Sequence, residues 1–238
     1  MESRSKASEV LESGLRDSRK MIGQPESRQI WNIIHQSEPS SERPEEGVVA
    51  FLEHLESRLS PGTSLLDAGC GRGRNALYSS RSGFRVYACD LSSVALGIAK
   101  ARADEAGLTV SLQASDLTHL PYASDLFAAA ICVHVLPYHM KADIVKSIRE
   151  LRRILQPNGW LYLDLLTPED ADYGCGRKLE EGTFLDPDGT PLHFSPREEV
   201  DEILHGFTLE RVARFELASS PTRVRVGWTI WAYKGASA

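Results

Sequence analysis

The run Leu65-Leu66-Asp67-Ala68-Gly69-Cys70-Gly71-Arg72-Gly73-Arg74-Asn75 constrains this chain more than any other stretch. Two leucines read as the end of a buried strand and an acidic residue follows. Three glycines then fall at alternate positions, and Asn75 opens a predicted helix, Asn75 to Ser82. Glycine accepts positive φ and leaves no Cβ between backbone and ligand. An ordinary tight turn needs one glycine, not three. A strand, a glycine turn and a helix N-terminus together make a nucleotide-type site in an α/β sheet.

The kind of nucleotide can be narrowed. A dinucleotide fingerprint needs G-x-G-x-x-G. Gly69 and Gly71 fit, but the third position holds Arg74, which weakens a nicotinamide oxidoreductase reading. The phosphate-cradling run G-x-x-x-x-G-K-[ST] is absent. Asp67 is expected at the mouth of the turn, where it would repel a pyrophosphate and suit a ligand with a cationic end. On these residues the chain resembles the class I S-adenosylmethionine-dependent methyltransferases, whose first motif reads acidic-x-Gly-x-Gly-x-Gly. Asp67, Gly69, Gly71 and Gly73 match it position for position. Gly71-Arg72-Gly73-Arg74-Asn75-Ala76-Leu77-Tyr78 is similar to the G-x-G-R-N-x-L-Y form of tellurite-resistance and thiopurine-type small-molecule methyltransferases.

The rest of the chain reads in the same order as that family. Residues 1–22 are charged, with a weak helical stripe at Ala7, Val10, Leu11 and Leu15, and residues 30–35 form a short apolar patch. Val48, Phe51, Leu52, Leu55 and Leu59 have the spacing of an amphipathic helix. Strands are predicted at Ser64–Asp67, Phe84–Cys89, Thr109–Gln113, Phe127–His134 and Trp160–Leu166, with helices at Ser93–Ala106 and Lys141–Gln156. Such alternation implies a parallel sheet covered on both faces. Residues 167–194 are rich in turn formers, with a hairpin predicted around Asp186-Pro187-Asp188-Gly189. Ser195-Pro196-Arg197-Glu198 reads as a capping box with Ser195 as N-cap. Two closing runs, Phe207–Leu217 and Arg223–Tyr233, have no crossover between them and should pair antiparallel. The expected fold is α/β: a Rossmann-like doubly wound sheet of seven strands, mostly parallel, with an antiparallel C-terminal pair. Residues 1–46 are expected as a helical lid segment. Residues 47–238 form the main domain, with a substrate-side insertion at about 167–194.

A net charge of -6 and the lack of a basic run argue against nucleic-acid binding. No apolar run approaches the ~20 residues of a membrane span, and the polar start, Met1 to Lys20, does not read as a secretory signal. Cys70, Cys89, Cys132 and Cys175 lack metal-site spacing and read as reduced thiols of a cytoplasmic protein. No metal is expected, and the chain is expected as a monomer or homodimer.

Asp90, ending the second strand, is positioned to accept hydrogen bonds from both ribose hydroxyls. The resemblance implies S-adenosylmethionine as cofactor, held by Asp67, Gly69, Cys70, Gly71, Asn75, Asp90 and Leu91. It also implies contacts from Asp116 to the adenine amino group, from the Leu117 amide to the ring, and from Val133 beside the methionine end. The expected partner is a small-molecule acceptor. Trp31, folding over as a lid, Tyr138 and His139 are expected to touch it, with His134 and His193 as candidate bases. The alternative is a non-catalytic module that only holds the cofactor.

Overall fold

The computed structural model describes residues 24–37, 41–186, 189–220 and 223–235. The predicted stripe from Ala7 to Leu15 lies outside them. Helices α1 (Gln24–Ser37) and α2 (Glu46–Glu56) precede β1 (Ser64–Ala68). Then follow α3 (Arg74–Arg81), β2 (Arg85–Asp90), α4 (Ser93–Glu105), β3 (Val110–Ala114), β4 (Phe127–Cys132), α5 (Lys141–Ile154) and β5 (Leu155–Leu166). The short strands β6 (Arg177–Glu180), β7 (Thr183–Leu185) and β8 (Pro191–His193) come next. The chain closes with α6 (Arg197–Ile203), β9 (Phe207–Ser220) and β10 (Arg223–Lys234).

The main sheet has seven strands in the order β3-β2-β1-β4-β5-β10-β9. β1 pairs in parallel with β2 on one side and with β4 on the other, so strand order reverses at β1. β10 is antiparallel to both β5 and β9, as the two uninterrupted closing runs require. Strands covered on both sides must be apolar on both faces. Leu65, Ala129 and Ile131 accordingly face α2, where Val48, Phe51, Leu52 and Leu55 are buried. Their neighbours Leu66, Ala130 and Cys132 face α5, with Ile144, Ile148 and Leu151. Burying each leucine, isoleucine, valine or phenylalanine of these layers stabilises by roughly 1.5–3 kcal/mol. The insertion forms a separate three-stranded sheet in the order β6-β7-β8, whose β7–β8 pair is the expected hairpin.

Four expectations need correction. The apolar patch at residues 30–35 is part of a full helix, α1. The fourth strand stops at Cys132, because His134 turns to φ +58 and leaves the sheet. α5 ends at Ile154 rather than Gln156, since Leu155 already pairs with Phe127, and Asn158 at φ +62 makes the bulge that follows. The capping box does not form. The N-cap position is Pro196, and the Ser195 hydroxyl donates to the Glu199 carboxylate at 3.0 Å instead.

Candidate active site

A cavity of about 420 Å³ opens at the carboxyl ends of β1 to β4, where strand order reverses. That is where a doubly wound sheet leaves its ligand crevice. The β1 turn supplies Gly69, Cys70, Gly71 and Asn75; β2 supplies Asp90 and Leu91; β3 supplies Asp116 and Leu117; β4 supplies Val133 and His134. Gly69 sits at φ +81, and a Cβ there would stand 2.2 Å from Val135 Cγ2. No other residue fits that position.

Both Asp90 oxygens are fixed by backbone amides: Oδ2 accepts from Gly71 at 2.7 Å and Oδ1 from Ser92 at 2.8 Å. A carboxylate oxygen has two acceptor positions, so each keeps one for a ligand. Asp116 Oδ1 accepts from the Thr118 amide at 2.8 Å.

His134 follows β4 directly. Its Nδ1 lies 2.9 Å from Asp164 Oδ2, and its Nε2 makes no hydrogen bond among the described residues. The Asp164 charge pushes the His134 pKa up, against the opposing effect of burial. His139 also reaches the wall. Its Nδ1 is 3.0 Å from the Val135 carbonyl and therefore carries a proton, leaving Nε2 as an acceptor; burial pulls its pKa down.

His134 also lines a second, smaller cavity of about 30 Å³. Tyr138, Asp164, Leu166, Phe215, Leu217 and Arg225 form most of its remaining wall. About two waters, or a group of carboxylate size, would fill that space.

α1 closes the large cavity from outside. Trp31 and His35 stand in its wall, and Trp31 meets Tyr138 edge-on at 5.1 Å. Asn32 Oδ1 accepts from the Ser92 hydroxyl at 2.7 Å, tying α1 to the N-cap of α4. The Arg72 guanidinium donates to the His35 carbonyl.

Three expected site residues lie elsewhere. Asp67 is 1% exposed and outside the wall. Strand alternation turns it to the Leu65 face, under α3, where the Ala76 amide bonds it. Burial, and then the charge of Asp90, push its pKa up to about 7. Tyr138 lines only the smaller cavity. His193 faces neither cavity. It is buried, with Nδ1 2.6 Å from Thr183 Oγ1 and Nε2 2.6 Å from Glu199 Oε1, so both ring nitrogens are occupied.

The wall residues not foreseen include His35, Arg74 and Val135. Asp164 joins them, and the sequence does carry a signal for it: it is the one carboxylate inside the apolar run Trp160–Leu166. The thiols of Cys70 and Cys132 are held well above the usual range by burial, and Cys89 is pushed up to about 12, so all three stay protonated.

Residues 65–159 match the methyltransferase-domain family. An uncharacterised methyltransferase of Bacillus subtilis, YodH, is 33% identical over 102 residues, covering 43% of this chain and 42% of that protein. A tRNA (carboxymethyluridine(34)-5-O)-methyltransferase of Arabidopsis thaliana is 30% identical over 182 residues, covering 72% of this chain and 40% of that protein. The chain thus spans less than half the length of these curated relatives. Among solved structures, the 1,6-didemethyltoxoflavin-N1-methyltransferase of Burkholderia thailandensis, with its substrate and S-adenosylhomocysteine bound, superposes with a TM-score of 0.63. It is 21% identical, and the match covers 80% of this chain and 79% of that one. The matched segment is a class I S-adenosylmethionine-dependent methyltransferase domain. It occupies the middle of this chain, from within β1 to within β5.

Proposed function

We propose that this chain binds S-adenosylmethionine across the ends of β1 to β4 and catalyses methyl transfer to a small-molecule acceptor. The residues present fit that cofactor. The Gly69 turn leaves a space that any Cβ would fill. Two carboxylates stand at consecutive strand ends. The cavity volume lies within the ~300–1,000 Å³ typical of ligand sites. When bound, the cofactor supplies an electrophilic methyl on a sulfonium.

The chain's own residues bind, orient and take a proton. Asp90 accepts from the ribose hydroxyls, Asp116 from the adenine amino group, and the Leu117 amide meets the ring. Holding the reactants in line supplies much of the rate, up to ~7–11 kcal/mol in favourable cases. His134 takes the acceptor proton at Nε2, and Asp164 stabilises the imidazolium that results, a contribution of typically ~10²–10⁴-fold. Trp31 and His35 exclude water from above, so α1 acts as a lid on the domain. His193 has no part in the proposal.

The observation that carries this reading is the position of His134. One imidazole is shared by two cavities, with Nδ1 committed to Asp164 and Nε2 free. A second reading, methylation of RNA, is favoured by the Arabidopsis relative and opposed by the net charge of -6. One experiment tests both. The protein is incubated with methyl-labelled S-adenosylmethionine and a panel of small hydroxy, amino and thiol acceptors, with bulk tRNA as a further member. Label in a small molecule supports the proposal, and label in tRNA alone supports the second reading.

A further inference from the structure

The small cavity beside His134 has a wall set by sheet register. Thr229 stands opposite Asp164, and Gly227 opposite Leu166, across β10 and β5. Phe215 and Leu217 of β9 stand opposite Gly227 and Arg225. Opposed residues share a face, so Asp164, Leu166, Arg225, Phe215 and Leu217 project to one side of the sheet. Gly227 makes room there: a Cβ on it would stand 2.4 Å from the Phe215 ring.

The polar groups left to this cavity are two. Asp164 turns one oxygen to the His134 ring and the other to the His134 amide. Tyr138 brings a hydroxyl, on a ring met edge-on by Trp31 and packed against the core of the insertion. Arg225 brings a guanidinium, 26% exposed, whose charge reaches that hydroxyl. The ion pair that Arg225 makes is long, with Nη2 3.6 Å from Asp172 Oδ2, and Arg223 holds the other oxygen of Asp172 at 3.2 Å. Asp170, the next acid, accepts from the Asp172 and Val226 amides at 2.9 and 2.8 Å. Arg225 therefore keeps donors that no carboxylate of the described residues takes.

A hydroxyl and a guanidinium facing a space of about two waters suit a compact group with paired acceptor oxygens. The planar fork of arginine matches a carboxylate in this way, where a lysine would offer only a point charge. The rest of the wall is apolar, so such a group gains little from water once inside.

We propose that the small cavity is the subsite for a carboxylate of the methyl acceptor, held by Arg225 and Tyr138, which makes the acceptor a hydroxy acid. The inference rests on the methyltransferase reading above. With the carboxylate on one side of His134, the hydroxyl reaches Nε2 on the side of the large cavity. On transfer the hydroxyl oxygen bonds the methyl carbon, the sulfur keeps the electron pair of the broken bond, and the proton passes to Nε2. The carboxylate is unchanged.

The test is calorimetry on the protein saturated with S-adenosylhomocysteine. The probes are 2-hydroxybenzoate and 3-hydroxypropanoate, each against its primary amide. At least one acid should bind about 10- to 100-fold more tightly than its amide, the range expected for hydrogen bonds to a charged group. Arg225→Met should erase that preference, Arg225→Lys should keep part of it, and Tyr138→Phe should reduce it. Unchanged melting curves would establish that the variants fold, and the affinity for S-adenosylhomocysteine should stay that of wild type in all three. If neither acid outbinds its amide, or if the preference survives in Arg225→Met, the proposal is overturned. Weaker S-adenosylhomocysteine binding in Arg225→Met would overturn it too, by assigning the guanidinium to the cofactor. If wild type does not bind S-adenosylhomocysteine at all, the methyltransferase reading falls and takes this subsite with it.

Discussion

One carboxylate grips His134 twice: Asp164 Oδ2 lies 2.9 Å from Nδ1, and Oδ1 accepts the backbone N–H of the same residue at 2.7 Å. His134 sits at φ +58, where non-glycine residues are uncommon. Asp164 comes from β5, the strand adjacent to β4, so the clamp is built by sheet pairing rather than by local sequence. Such a clamp holds the ring where a free loop histidine would rotate, and it compensates the left-handed backbone.

The first prediction concerns this pair. The Asp164 charge raises the His134 pKa, and a protonated imidazole cannot act as base. Turnover should therefore rise with pH through a midpoint above the ordinary histidine value. Asp164→Asn should move the midpoint down and lower kcat by ~10²-fold or more, since the correct tautomer is no longer enforced. The kcat/KM profile between about pH 5 and 9 reads both effects. A midpoint that does not move would assign the base elsewhere.

Gly69 and Gly62 make a matched pair. Both have φ near +80, but a Cβ at Gly62 meets open space and one at Gly69 meets Val135 at 2.2 Å. Gly62→Ala should cost only the left-handed strain, ~1–2 kcal/mol. Gly69→Ala adds overpacking of ~1–3 kcal/mol and pushes Val135 in the cavity wall. Urea denaturation should separate the two variants, and calorimetry with S-adenosylhomocysteine should fail only for Gly69→Ala.

What the sequence made legible was local. The β1 turn, Asp90 and Asp116 could be read because strand, turn and charge follow one another within a few residues. Asp164 could not be paired with His134 in the same way: thirty residues and a helix separate them, and only the β4–β5 register brings them together. The motif puts Asp67 at the turn mouth, whereas strand alternation turns it inward. His193 does lie in the hairpin that the turn residues predict. Its pairing with Thr183, however, turns it into the insertion's own core, beside Glu199. The Ser195 box satisfied the capping rule by composition, but Ser195 was already committed. Its amide donates to the Leu166 carbonyl at 2.8 Å and its hydroxyl to Glu199.

The third prediction tests the proposed lid. Asn32 accepts from the Ser92 hydroxyl, which itself caps α4 by accepting from the Ala95 amide at 3.1 Å. Asn32→Ala removes the clasp and leaves the cap. Cofactor dissociation should speed up by roughly 5- to 10-fold, the equivalent of one ordinary hydrogen bond, with global stability little changed. Deleting residues 1–36 should abolish turnover and leave a folded core. A truncated protein with full activity would refute the lid.

The last prediction concerns acid stability, through Glu199. This carboxylate is 13% exposed and takes Nε2 of His193 at 2.6 Å, Nζ of Lys141 at 3.0 Å and the Ser195 hydroxyl at 3.0 Å. Burial alone would push its pKa up. The hydrogen bonds from His193 and Lys141 outweigh that and bring it down to about 2. A carboxyl depressed by folding stabilises the native state fully above its unfolded pKa, ordinarily ~4.3, and loses that contribution as pH falls through the folded value. The window is therefore from about pH 4.3 down to about 2, and the contribution at stake is of the order of 3 kcal/mol. The same cluster joins the insertion to α5, because Glu180 Oε1 accepts both the Lys141 amide at 2.8 Å and the Thr183 hydroxyl at 3.1 Å. Acid should thus loosen β6–β8 and α6. In urea titrations, Glu199→Gln should be less stable than wild type by a constant margin above about pH 5, and the margin should shrink as pH falls toward 2. A margin that stays constant throughout would mean that Glu199 contributes by packing and not by charge.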